Sequence, residues 1–172
     1  MTEPSAETPA RGAYNLQMPN PDNRSHRYGY LLVVLQFSLL FGLIFITSPL
    51  NAIARGNPVT LITMAISVIV ALAALQANQF GNFNIHPRPK QNGRLIEHGI
   101  YRYIRHPMYT AVMLFSLGCA LASPSLESAL MLIALCLVLV RKARLEETWL
   151  RQKYPFYSDY ISKTRGFLPW LY

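Results

Sequence analysis

Tyr28-Gly29-Tyr30-Leu31-Leu32-Val33-Val34-Leu35-Gln36-Phe37-Ser38-Leu39-Leu40-Phe41-Gly42-Leu43-Ile44-Phe45-Ile46-Thr47 is an almost unbroken apolar run. Its length decides the fold. About 20 apolar residues, wound as a helix, cross the hydrocarbon core of a bilayer. A helix on the surface of a soluble domain keeps one face polar, whereas here Gln36 is the only strongly polar side chain. That amide is expected either to bond a neighbouring helix or to sit at a lipid edge. Ser48-Pro49 ends the run with a turn and helix-stop signal.

Further runs follow. Residues 58–76 are rich in Ile, Val, Leu and Ala, and Pro58 suits a first helical turn. Ala65, Ser67, Ala71, Ala73 and Ala74 would let another helix approach closely. Residues 107–123 and 125–140 form two shorter runs joined through Ser123-Pro124-Ser125. Both are short for a full crossing, so thinning, tilt or extension by flanking residues is expected of them, the alternative being partial re-entry. The reading is therefore all-α: a polytopic membrane protein with four transmembrane helices. Residues 1–27, rich in Pro, Asn, Ser and Ala, read as a flexible N-terminal tail without a signal-peptide apolar core, and 28–172 as the membrane domain.

Composition agrees. Apolar residues make up 52% of the 172 and charged ones 14%, below the roughly 25% of soluble domains. A net charge of +8 could point to nucleic acid, but none of the 16 Lys/Arg falls inside the four apolar runs. That segregation points to a bilayer and excludes a nucleic-acid partner. Cys119 and Cys136 lie within apolar runs and read as buried thiols. No Cys/His cluster has metal-site spacing, so no metal is expected.

The cations fall three before the first run, one between the first and second, five between the second and third, none in the next link and seven after the fourth. By the positive-inside rule both termini and the long loop 77–106 are then cytoplasmic. Two polar groups consequently share a face. One is Gly99-Ile100-Tyr101-Arg102-Tyr103-Ile104-Arg105-His106-Pro107-Met108-Tyr109, at the entry of the third run. The other is Glu146-Glu147, in a charged helical continuation of the fourth. Polar chemistry kept at a membrane entry marks a site. On a helix Glu146 and Glu147 diverge by about 100°, so one is expected to face the site and the other to hold an arginine or an amide.

The pattern Gly99-x-Tyr101-x-x-x-Arg105-His106-Pro107-x-Tyr109, then Glu146-Glu147, then Tyr154, Tyr157 and Tyr160, resembles the isoprenylcysteine carboxyl methyltransferases and their relatives, the phospholipid N-methyltransferases, in a bacterial form. The resemblance covers roughly residues 75–170. It implies an integral-membrane enzyme of a bacterial inner membrane that uses S-adenosylmethionine. The cofactor pocket would be cytoplasmic, built from the loop before the third helix and the C-terminal segment. The acceptor would be a lipid or small lipophilic molecule arriving from the bilayer.

Carried onto this chain, the resemblance makes Arg105, His106 and Glu147 the catalytic candidates. His98, Tyr101, Arg105, His106, Pro107, Tyr109, Glu146 and Glu147 become the cofactor-binding candidates. Arg105 could pair with a carboxylate, the glutamates with an ammonium or ribose hydroxyls, and Tyr101 and Tyr109 with adenine or the sulfonium. Gly93 stands where the carboxyl methyltransferases carry a histidine, which leaves the acceptor open. Two competing readings are a membrane reductase, with Arg88, Lys90, Arg94 and Arg102 on a nicotinamide cofactor's phosphates, and a non-catalytic scaffold.

Overall fold

The computed structural model describes residues 23–54, 57–82 and 93–168. Its elements are α1 (Asn23–Thr47), α2 (Pro49–Ala54), α3 (Pro58–Asn82), a 3₁₀ turn (Gly99–Arg102), α4 (Pro107–Ala122), α5 (Leu126–Lys153) and α6 (Tyr157–Lys163). Among the described residues no strand forms; Ile104 and Arg165 make one isolated parallel bridge. The expected N-terminal tail up to Asp22 and the His86–Lys90 stretch lie outside the described residues.

Local sequence explains most boundaries. Ser48 takes the left-handed conformation, with φ 42°, and turns the chain from α1 into α2 at Pro49. Asn57 caps α3: its Oδ1 accepts from the amides of Val59 at 3.1 Å and Thr60 at 3.3 Å. Ser125 and Ser128 form a reciprocal capping box at the start of α5.

Two helices outrun their apolar stretches. α1 begins at Asn23, taking in Arg24, His26 and Arg27, and α3 continues through Gln79 to Asn82. Hydropathy marks where a helix meets lipid, not where its hydrogen bonding stops. The fourth apolar run and its charged continuation are one helix, α5, of 28 residues.

Among the described residues, two helices are long and apolar enough to cross a membrane: Arg27–Thr47 and Pro58–Asn78, each 21 residues. In both, 22% of the apolar window is buried within the protein. The core helix of a soluble protein would be mostly buried. Here Phe41, Phe45, Ile62 and Ile69 point outward instead. α5 adds an outward apolar stripe of Leu126, Leu130, Ile133 and Leu137, spaced as one helical face.

α4 is the central helix. It packs along α3 and also meets α1, α2 and α5, while α1 runs against α5. Small residues permit the close approach: a Cβ on Gly118 would lie 2.9 Å from Met64 Cγ. Ser67 of α3 donates to the carbonyl of Ala111 in α4 at 2.8 Å. Gly99 is required at the 3₁₀ turn, since its φ is +59° and a Cβ there would sit 3.0 Å from that of Ala77. Cys119 is buried and Cys136 half-buried; both are free thiols.

Candidate active site

The site forms where the start of α4, the outer half of α5 and the chain after α6 meet. Pro107 occupies the first turn of α4, and its fixed φ sets where the helix begins. His106 is the N-cap residue but makes no capping bond with its side chain. Its imidazole therefore turns across to α5.

There Nε2 of His106 lies 3.0 Å from Glu147 Oε1. The same oxygen accepts from Arg105 Nε at 2.8 Å. An ionised carboxylate only accepts, so the histidine donates through Nε2. Burial pushes the Glu147 carboxyl up, but bonds from His106 and Arg105 and their charges outweigh it and hold the pKa at about 2. A carboxylate so weakly basic is a poor proton acceptor at neutral pH.

Arg105 is committed further. Its Nη1 donates to the carbonyl of Thr164 at 2.7 Å and reaches that of Ile161 at 3.5 Å. With its side chain 7% exposed, it is not open to take a cofactor carboxylate in the fork expected of it. The guanidinium closes a frame inside the protein instead.

The backbone extends that frame. The amides of Arg105 and His106 donate to the carbonyls of Arg165 and Gly166 at 2.8 and 3.0 Å, and Arg165 donates back to Tyr103 at 3.0 Å. Thr110 Oγ1 donates to the carbonyl of Phe167 at 2.7 Å. The Phe167 ring lies 5.6 Å from the His106 ring. The chain beyond α6 is thus stitched along residues 103–110.

Glu146 is placed differently. Its Oε2 accepts from the Tyr109 hydroxyl at 2.8 Å and lies 3.8 Å from His106 Nδ1. Its side chain stays 31% exposed, against 17% for Glu147. So one glutamate holds an arginine while its neighbour remains open, as the 100° divergence predicts.

Tyr109 makes three contacts. Its ring stacks at 5.5 Å on His106, its hydroxyl is held by Glu146, and Lys142 Nζ stands 5.2 Å from its centroid. Its hydroxyl thereby holds Glu146 in place. Tyr101 is half-buried; burial and then the Glu146 charge raise its phenol pKa. Its carbonyl accepts from the Tyr160 hydroxyl at 2.7 Å. His98, just before the 3₁₀ turn, is exposed, and its side chain makes no capping bond.

Lys142 was not among the expected site residues. It is 1% exposed, and its Nζ donates to Gln36 Oε1 of α1 at 2.7 Å. This settles Gln36 as an interhelical partner. The missed signal is helical phase: Leu135, Leu139 and Lys142 follow one buried stripe. Lys153 is equally buried; its Nζ and the Tyr154 hydroxyl both donate to the carbonyl of Gly93, which ties the long loop to the end of α5.

Residues 58–156 match the family model for phospholipid methyltransferase. The cobalt-zinc-cadmium resistance protein CzcN of Cupriavidus metallidurans is 27% identical over 148 residues, which cover 84% of this chain and 64% of that protein. The matched part of the chain thus spans a little under two thirds of that relative's length. No solved structure matches. The match takes in α3 through α5 with both the Arg105-His106-Pro107 and the Glu146-Glu147 motifs, and the chain belongs to the phospholipid methyltransferase family of membrane methyltransferases.

Proposed function

We propose that the protein is a multi-pass membrane methyltransferase that takes its methyl group from S-adenosylmethionine and passes it to a lipophilic acceptor. The observation that carries this reading is the unequal pair of glutamates. Arg105, His106, Tyr109 and the 164–167 segment are all used to hold two carboxylates, of which Glu146 remains partly open. A costly frame around one accessible anion fits a cationic ligand. S-adenosylmethionine carries two cations, an ammonium and a sulfonium, and two ribose hydroxyls that a carboxylate can accept from. When bound, it supplies an electrophilic methyl group.

In this reading Glu146 and Tyr101 touch the cofactor. Arg105, His106 and Glu147 are positioning residues: they fix the pitch of α5 against α4, and so the place of Glu146. Glu147, held at about pKa 2, is not the base. A carboxylate acceptor would need none. An amine or thiol would lose its proton to another group or to water. The chain's remaining task is to hold acceptor and methyl about 3 Å apart and dry, where most of the rate gain of such a displacement arises.

α4, at 16 residues, reaches about 24 Å, short of a core of about 30 Å. We place it as a third span around which the bilayer thins, with the apolar half of α5 as the fourth and both termini cytoplasmic. A reporter fused after Tyr172 tests the topology; a periplasmic signal overturns it.

The decisive test is calorimetry on the full chain in detergent with S-adenosylhomocysteine and, separately, NADPH. Binding of the first, weakened about tenfold or more by Glu146→Gln with the thermal midpoint unchanged, supports the reading. Binding of NADPH alone overturns it in favour of a reductase.

A further inference from the structure

One buried cation beside the site is unused by its frame. Lys142 lies just beyond the apolar half of α5 and is 1% exposed. Its Nζ donates to Gln36 Oε1 of α1 at 2.7 Å, a neutral acceptor, and stands 5.2 Å from the centre of the Tyr109 ring of α4. Among the described residues it forms no ion pair. A buried ammonium is ordinarily paired with a carboxylate or gives up its charge. Glu146 follows one helical turn later on α5, where its charge acts on Lys142, but its Oε2 is bonded to the Tyr109 hydroxyl.

The polar groups that face Lys142 come from three helices. They are the Gln36 amide of α1, the Tyr109 phenol of α4 with the His106 ring stacked behind it, and the Glu146 carboxylate of α5. Burial pushes the Lys142 amine down to about 8, and the Glu146 charge keeps it from falling further. A second cation set against Glu146 would take over that support.

We infer that Lys142 is the proton acceptor of the site, charged while Glu146 is free and neutral while a sulfonium lies against Glu146. The inference rests on the methyl-transfer reading and names the group that would take a proton from the acceptor. At the transfer, a lone pair of the acceptor forms the new bond to the methyl carbon. The carbon–sulfur bond breaks with its pair going to sulfur, and the acceptor's proton passes to Lys142 Nζ. One positive charge is lost at sulfur and one is gained at Lys142, so Glu146 faces the same charge before and after. The acceptor class that fits is a nucleophile carrying a proton, an amine, thiol or phenol, and not a carboxylate.

The test needs no acceptor. Calorimetry on the full chain in detergent, repeated at pH 7 in buffers of different ionisation enthalpy, counts the protons released on binding. S-adenosylmethionine should release roughly half a proton or more, and S-adenosylhomocysteine, which lacks the sulfonium charge, close to none. In the Gln36→Leu, Lys142→Met double variant, which removes both partners of the buried bond, that difference should vanish while both ligands still bind. Lys142→Arg keeps its charge and cannot give up the proton, so it should weaken S-adenosylmethionine about tenfold or more relative to S-adenosylhomocysteine. Equal proton release with the two ligands, release that persists in the double variant and so comes from His106, or an unchanged affinity ratio in Lys142→Arg overturns the inference and leaves the cofactor reading intact. Binding of neither ligand overturns that reading and this inference with it.

Discussion

The outer faces of α1 and α3 and the corner where α4 meets α5 are built on opposite rules. On the outer faces, large apolar side chains stand exposed, Phe45 at 86%, and side-chain bonds stay local, such as Thr63 to Val59. In the corner, charged and hydroxyl groups are buried and bonded across 37 to 106 residues of chain. The first region suits lipid because lipid asks only for apolar surface and satisfied backbone. The second is specified group by group, since every buried polar atom must find its partner. Substitutions should therefore be tolerated in one region and punished in the other.

The largest effect is expected at the Arg105–Glu147 pair. Glu147→Ala leaves a buried guanidinium without its carboxylate, at a cost of about 3–5 kcal/mol, read as a lowered thermal midpoint in detergent. A midpoint within error of the parent would show that the frame is held by the backbone stitching alone. Acid should probe the same pair. Glu147 titrates at about 2 in the folded protein against an ordinary 4.5, so its contribution is complete above about 4.5 and is lost as pH falls toward 2. Glu147→Gln should flatten the stability profile across that window.

A middle effect is expected at Gln36. Gln36→Leu removes the acceptor of buried Lys142 and should cost about 1–3 kcal/mol. Adding Lys142→Met should return much of it; if the double variant is no better than the single, Gln36 acts by packing. The smallest effect is expected on the lipid face. Phe45→Ala should shift stability by no more than about 0.5 kcal/mol, and a larger loss would mean that α1 packs against something outside this chain.

The same contrast explains what could be read from sequence. The span starting at Pro58 and the start of α4 at Pro107 are local or periodic signals, and the structure has them; Gln36 was open between a neighbouring helix and a lipid edge, and its bond to Lys142 decides for the helix. The divergence of Glu146 and Glu147 follows from helical geometry and also holds. What was not legible depended on contacts distant in sequence. Arg165 and Gly166 pair with Tyr103, Arg105 and His106 through backbone groups, which carry no residue code. α6 is 7 residues long, too short to show a period. Arg105 was expected to reach a ligand because a charge by itself gives no sign of being already satisfied. Lys142 sat in a run of cations whose inward member only the phase of α5 could pick out.

The stitching of residues 164–167 onto 103–110 also has a consequence in time. Arg105 closes on Thr164 across 59 residues, so during synthesis it waits until α4, α5 and α6 have all been made. The apolar helices can enter the bilayer as they emerge, because each satisfies its own backbone. The frame around Glu146 cannot exist until Thr164 to Phe167 have left the ribosome. A nascent chain stalled before Thr164 would be inserted, long-lived and without a site, so insertion and competence to bind are separate events in the life of the protein.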